Sequence, residues 1–111
     1  MNRLQEDKLA PIIVDLGVGK DQINESFLRQ FGTAVELILK RMFGLNSLDF
    51  KLRGSRNSID KFIDTIRRER DYVDTIRRLG LTDSSVLSNK SKLQQAVGEF
   101  EKATGIKWPL G

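Results

Sequence analysis

Leu48-Asp49-Phe50-Lys51-Leu52-Arg53 alternates apolar and charged side chains, the period-two pattern of a half-buried strand, and Gly54-Ser55 stops it. Whether the chain is all-helical or carries a sheet turns on these six residues. A strand cannot leave its backbone polar groups unpaired in a buried setting, and the only internal candidate is the stretch from Ile12 to Leu16. There Pro11 introduces the β-branched run Ile12-Ile13-Val14, which ends at Gly17 and Gly19. Two outcomes stay open. If the strands pair across the intervening helix, they make a right-handed parallel βαβ unit. If they do not, the second is an edge seeking another chain.

Between them, Asp21 is placed to cap a helix. From Ile23 the apolar positions Phe27, Leu28, Phe31, Ala34, Val35, Ile38 and Met42 keep helical spacing up to Phe43-Gly44. Gly32 lies off that stripe and suits either a close neighbour or a helix break. Asn57 followed by Asp60 has the spacing of a capping box, and a second helix then carries Ile59, Phe62, Ile66, Val73, Ile76 and Leu79 inward as far as Gly80. Thr82 to Ser88 is polar and reads as a connector. Asn89 or Ser91 is expected to open a last helix with Leu93, Ala96, Val97 and Phe100 on one face, closed by Thr104-Gly105. Ile106 sits where a Schellman-type contact would form, and Trp108, before Pro109, is pushed to an extended conformation.

A chain of 111 residues with 39% apolar and 31% charged side chains fits one globular domain over 1–111, with residues 1–10 as a flexible N-terminus and 106–111 as an extended tail. The fold class expected is a mainly helical α+β domain of three principal helices and two short strands. Histidine and cysteine are both absent, which removes disulfides, thiolate chemistry and the commonest metal ligands together. No run approaches the roughly 20 apolar residues of a membrane span, and the charged start lacks the apolar core of a signal peptide. A cytoplasmic location without membrane contact is the expectation.

The net charge of +4 is spread thinly: +1 in residues 1–54, +2 in 55–81 and +1 in 82–111. A specific DNA binder more often concentrates its basic residues on one element. The candidate element contains a near-repeat, in which Phe62-Ile63-Asp64-Thr65-Ile66-Arg67-Arg68 returns ten residues later as Tyr72-Val73-Asp74-Thr75-Ile76-Arg77-Arg78. Ten residues at about 100° each turn the second copy by roughly −80°, so the two are not expected to share a face. Arg67, Arg68, Arg70, Arg77 and Arg78 are the candidate phosphate contacts, but Asp60, Asp64, Asp71 and Asp74 are interleaved with them. A solvated face laced with ion pairs is the preferred reading.

Other motifs resolve the same way. Gly17-Val18-Gly19-Lys20 lacks the full Walker spacing and the Ser or Thr after its lysine, so it reads as a strand-to-helix turn. Paired carboxylates for acid–base work need a pocket and separated pKa values, whereas every acidic cluster here is interleaved with basic residues on an exposed helix. No catalytic residue, metal site or cofactor is assigned. Glu69 projects toward the apolar side of its helix; either that side reaches solvent or a basic residue there, or the carboxylate fixes register with a partner. Trp108 is read first as a lid on the core and second as an anchor for another protein, and Leu37, facing away from its stripe, hints at an outward contact. Leu37, Leu48, Phe50, Leu52 and Trp108 are the candidate protein-interface residues.

Phe50-Lys51-Leu52-Arg53-Gly54-Ser55, the helix after it, Leu79-Gly80-Leu81-Thr82-Asp83 and the ending Phe100-Glu101-Lys102-Ala103-Thr104-Gly105-Ile106-Lys107-Trp108-Pro109 resemble short proteins encoded by T-even-like tailed bacteriophages. The resemblance spans about half of the chain and carries no catalytic signature. It implies a virion, head-morphogenesis or accessory role, in the virion or host cytoplasm. The expectation is therefore a non-enzymatic interaction or structural component whose partner is itself or a larger virion protein. The alternative is a nucleic-acid-binding accessory protein using the arginine-rich helix.

Overall fold

The computed structural model describes residues 11–110, so the expected flexibility of residues 1–10 lies outside it. Strand β1 (Ile12–Asp15) and strand β2 (Phe50–Arg53) pair in parallel, with Ile12 beside Phe50 and Asp15 beside Arg53. Helix α1 (Glu25–Met42) connects them, completing the βαβ unit. A helical hairpin follows, α2 (Arg56–Leu79) and α3 (Ser84–Thr104), and the chain ends on an extended tail. The protein is thus a small, mainly helical α+β fold.

Each helix starts where a side chain can take a free backbone N–H, and the caps differ from those expected. Asn24, not Asp21, caps α1 by accepting from Phe27 N; Asp21 belongs to a short 3₁₀ turn over Lys20–Gln22. Ser55, not Asn57, caps α2 through Ser58 N at 3.1 Å. Asp83 caps α3 through Ser85 N, so the polar stretch to Ser88 is the first turn of that helix and Asn89 and Ser91 lie inside it. The exposed Ser84, Ser85, Leu87 and Ser88 leave Val86 as the sole buried residue of that turn, which hides its periodicity. Gly105 closes α3 in the left-handed region at φ 76°, donating to Glu101 O. The Ile106 N–H bonds to Thr104 Oγ1, so this is a single-bond left-handed cap and not the Schellman motif.

The core lies where the sheet's inner face, α1 and the hairpin meet. Val14 reaches it from β1 and Leu16 from just beyond that strand, Phe31, Val35 and Ile38 from α1, Phe62 and Ile66 from α2, and Phe100 from α3. Ile106 and Trp108 complete it from the tail, so Trp108 is the lid on the core. Its ring packs edge-on against Phe100 and Phe31, with centroids 5.3 and 6.2 Å away. Gly32 does not break α1. A β-carbon there would lie 3.4 Å from Pro109 Cβ, so the glycine lets the tail cross the helix closely.

Along the hairpin, Val86, Asn89, Leu93, Ala96 and Phe100 repeat at steps of three and four, one continuous seam against α2. Thr65 Oγ1 lies 2.7 Å from Lys61 O and 3.2 Å from Ala96 O, and Thr75 Oγ1 accepts from Asn89 Nδ2 at 2.7 Å. Both copies of the near-repeat therefore turn their threonine toward α3, against expectation. An apolar stripe on a packed helix is more than about 100° wide, which accommodates an offset of about 80°. Lys61 and Glu99 tie the hairpin at its surface, 2.8 Å apart.

Candidate interaction surface

Ile12 N and Leu16 N donate to Asp49 O and Arg53 O across the sheet at 2.9 and 2.7 Å. Backbone direction alternates along a strand, so Ile13 and Asp15 turn their N–H and C=O groups away from β2. Neither strand has a second neighbour among the described residues. Beside the free edge of β1 runs a groove of about 320 Å³, bounded by Ile13 and Asp15 on the strand and by Phe27, Gln30 and Ala34 on α1. A second hollow of about 340 Å³, lined by Ile12, Gln30, Thr33, Ala34 and Leu37, abuts it. On the sheet's outer face Ile13 is 48% exposed, and no second layer covers it among the described residues. Helix α1 is thus wider than the sheet it backs.

The residues expected at an interface divide. Leu37 is half-buried and lines the second hollow. Leu48 is exposed at the end of a loop that Arg41 and Asn46 pin through its backbone. Phe50 and Leu52 face inward and pack against the core, so their apolar faces are used within the chain. Trp108 is buried and offers no ring to a partner. Pairing with β1 satisfies one edge of the strand Leu48–Arg53 within the chain, and the free edge of β1 is a feature that sequence reading missed. Its signal was Ile13 itself, one β-branched residue too many for a strand with a single buried face.

Four of the five candidate arginines are engaged within the chain. Arg68 pairs with Asp64 at 3.7 Å, Arg70 with Asp71 at 3.1 Å and Arg78 with Asp74 at 2.9 Å. Arg77 lies over the Phe43 ring, 5.2 Å from its centroid. Arg67 is exposed with no ion pair among the described residues. Screened surface pairs of this kind contribute about 0–1 kcal/mol each, but they do bring acidic groups beside the arginines.

Glu69 meets neither solvent nor a basic residue. It is 5% exposed, and its Oε1 accepts the Trp108 indole N–H at 2.9 Å. Burial pushes its pKa above the usual carboxylate value, opposed more weakly by that hydrogen bond. Glu101 Oε2 takes the Trp108 backbone N–H at 2.8 Å, so two carboxylates hold the lid. Beside Glu69 a cleft of about 400 Å³ opens between α2, α3 and the tail. Tyr72, Lys90, Leu93, Gln94, Val97 and Leu110 line it with Glu69, and sequence reading singled out none of the six as a site residue. Only the helical spacing of Lys90, Leu93, Gln94 and Val97 marks them as one face.

No helix among the described residues is long and apolar enough to cross a membrane. No protein-family model, curated protein or solved structure matches this chain.

Proposed function

We propose that this chain is a non-enzymatic interaction component that pairs with a second copy of itself through the free edge of β1. The observation that carries the reading is the pair of outward-turned residues, Ile13 and Asp15, beside an unfilled groove on α1. Antiparallel pairing of two β1 strands about Val14 sets Ile13 of each copy opposite Asp15 of the other, so the edge is self-complementary. The product is a four-stranded sheet wide enough to cover both α1 helices. A larger virion protein supplying the same extended backbone would use the same groove, and the resemblance to small tailed-phage proteins supports a virion or head-assembly setting. No specific observation favours the nucleic-acid alternative, given how the arginines are engaged.

Light scattering on eluting protein over a range of concentrations tests the reading. The expected result is a dimer that Ile13→Pro converts to monomer, because that substitution removes an outward N–H and leaves the bonds to β2 in place. A monomer at every concentration, or a dimer indifferent to Ile13→Pro, would overturn pairing with a second copy.

A further inference from the structure

The cleft beside Glu69 is a built site of a different kind, independent of the β1 edge. One of its walls is a buried carboxylate, and the rest of its lining is mostly apolar: Leu93 and Val97 from α3, the Tyr72 ring from α2 and Leu110 from the tail. Glu69 Oε1 is committed to Trp108, whereas Oε2 has no hydrogen-bond or ion-pair partner among the described residues. Lys90 and Gln94 are exposed on the solvent side, and Lys90 makes no ion pair with Glu69. A carboxylate taken out of water with a free oxygen is costly unless something donates to it. At about 400 Å³ the cleft is within the size range of small-molecule sites.

We propose that this cleft binds a small primary ammonium compound with an apolar body, its ammonium seated on the free oxygen of Glu69 and its body against Leu93, Val97 and Leu110. The cation restores the charge compensation that burial removed, and the apolar walls exclude water from the pair. A neutral donor of the same shape satisfies the lone pair without compensating the charge, and an anion is repelled. Selectivity for ammonium over alcohol over carboxylate is the signature of the site.

The chain has a single tryptophan, and its indole N–H is bonded to the residue in question, so one NMR resonance reports occupancy. The probes are n-hexylammonium, 1-hexanol and hexanoate, each titrated into the full chain at millimolar concentrations. Hexylammonium is expected to shift the Trp108 indole resonance with an affinity at least about tenfold above that for hexanol, a difference of about 1.4 kcal/mol. Hexanoate is expected to give no saturable shift. Glu69→Gln keeps an acceptor for the indole and should reduce hexylammonium to the level of hexanol. Gln94→Phe, at an exposed helical position, narrows the opening with Glu69 intact and should weaken hexylammonium several-fold even if Glu69→Gln does not fold. Equal affinity for ammonium and alcohol, binding unchanged in either variant, or no shift with any probe would overturn the proposal.

Discussion

The Trp108 indole donates to a glutamate 39 residues earlier in the chain, and the burial of that glutamate, opposed more weakly by the bond, sets the most informative titration in the molecule. In the unfolded chain Glu69 has its ordinary value of 4.5; in the folded protein burial raises it. Between those two values the native state binds more protons than the unfolded state, so stability falls as pH rises. The contribution is complete below the ordinary carboxylate value and is lost as pH climbs through the raised one. Lys90 lines the same cleft, Arg70 is its chain neighbour and Glu101 holds the Trp108 backbone, so Glu69→Gln is the control that isolates this group. Urea unfolding at a series of pH values should show the wild type losing ground to Glu69→Gln as pH rises from about 4 toward neutrality. A constant difference would mean that Glu69 titrates alike in both states. The sequence marks Glu69 as a charge on an apolar side. It cannot name the partner, because a bond between side chains so far apart exists only after the tail has packed.

At the scale of elements, the helix starts separate what spacing reveals from what it hides. The stripe of α1 and the alternation of β2 were legible because their burial is periodic over many residues, whereas the parallel pairing was one of two outcomes that the sequence left open. The start of α3 was not, since its first turn exposes four of its five residues and Asp83 was the only cue. For α2, the spacing pointed to Asn57 as the cap, and the geometry selects Ser55. Ser55→Ala should therefore cost about 1 kcal/mol in chemical unfolding, with Asp83→Ala similar. Asn57→Ala should stay within about 0.5 kcal/mol, as a surface change does. The reverse order would restore the cap that the sequence suggested. The near-repeat follows a related rule: its two copies are offset by about 80°, but the width of the packed face decides which residues reach a neighbour.

In the whole molecule, four aromatic rings from three helices and the tail make one cluster. Phe31 stacks on Phe100 at 5.9 Å, Phe62 lies 6.1 Å from Phe100, and Trp108 reaches all three. Removing the tail's ring should cost far more than removing any surface pair. Trp108→Ala is expected to lose about 3–5 kcal/mol in urea unfolding, the range for a buried large aromatic, and it also leaves Glu69 without its donor. A domain of ordinary stability has about 5–15 kcal/mol in total, so this variant sits near the threshold of folding. A loss below about 1 kcal/mol would show that the tail is an ornament on a core already complete. Its role as a lid was legible from an isolated tryptophan before a proline. The free β1 edge and the Glu69 cleft were not, because each is a space between elements that share no local pattern.

The position of the lid in the chain also sets a timetable for synthesis. A ribosome delivers β1, α1 and β2 first, and sequential folding from the N-terminus would normally let such a unit settle as it emerges. Here Phe31 on the first helix is covered by Phe100 and Trp108, which are made only after β2 and most of the hairpin. Until they arrive, the nascent chain exposes an aromatic surface that nothing upstream can hide, and the synthesis of the stretch from Phe100 to Trp108 is what ends that vulnerability to aggregation.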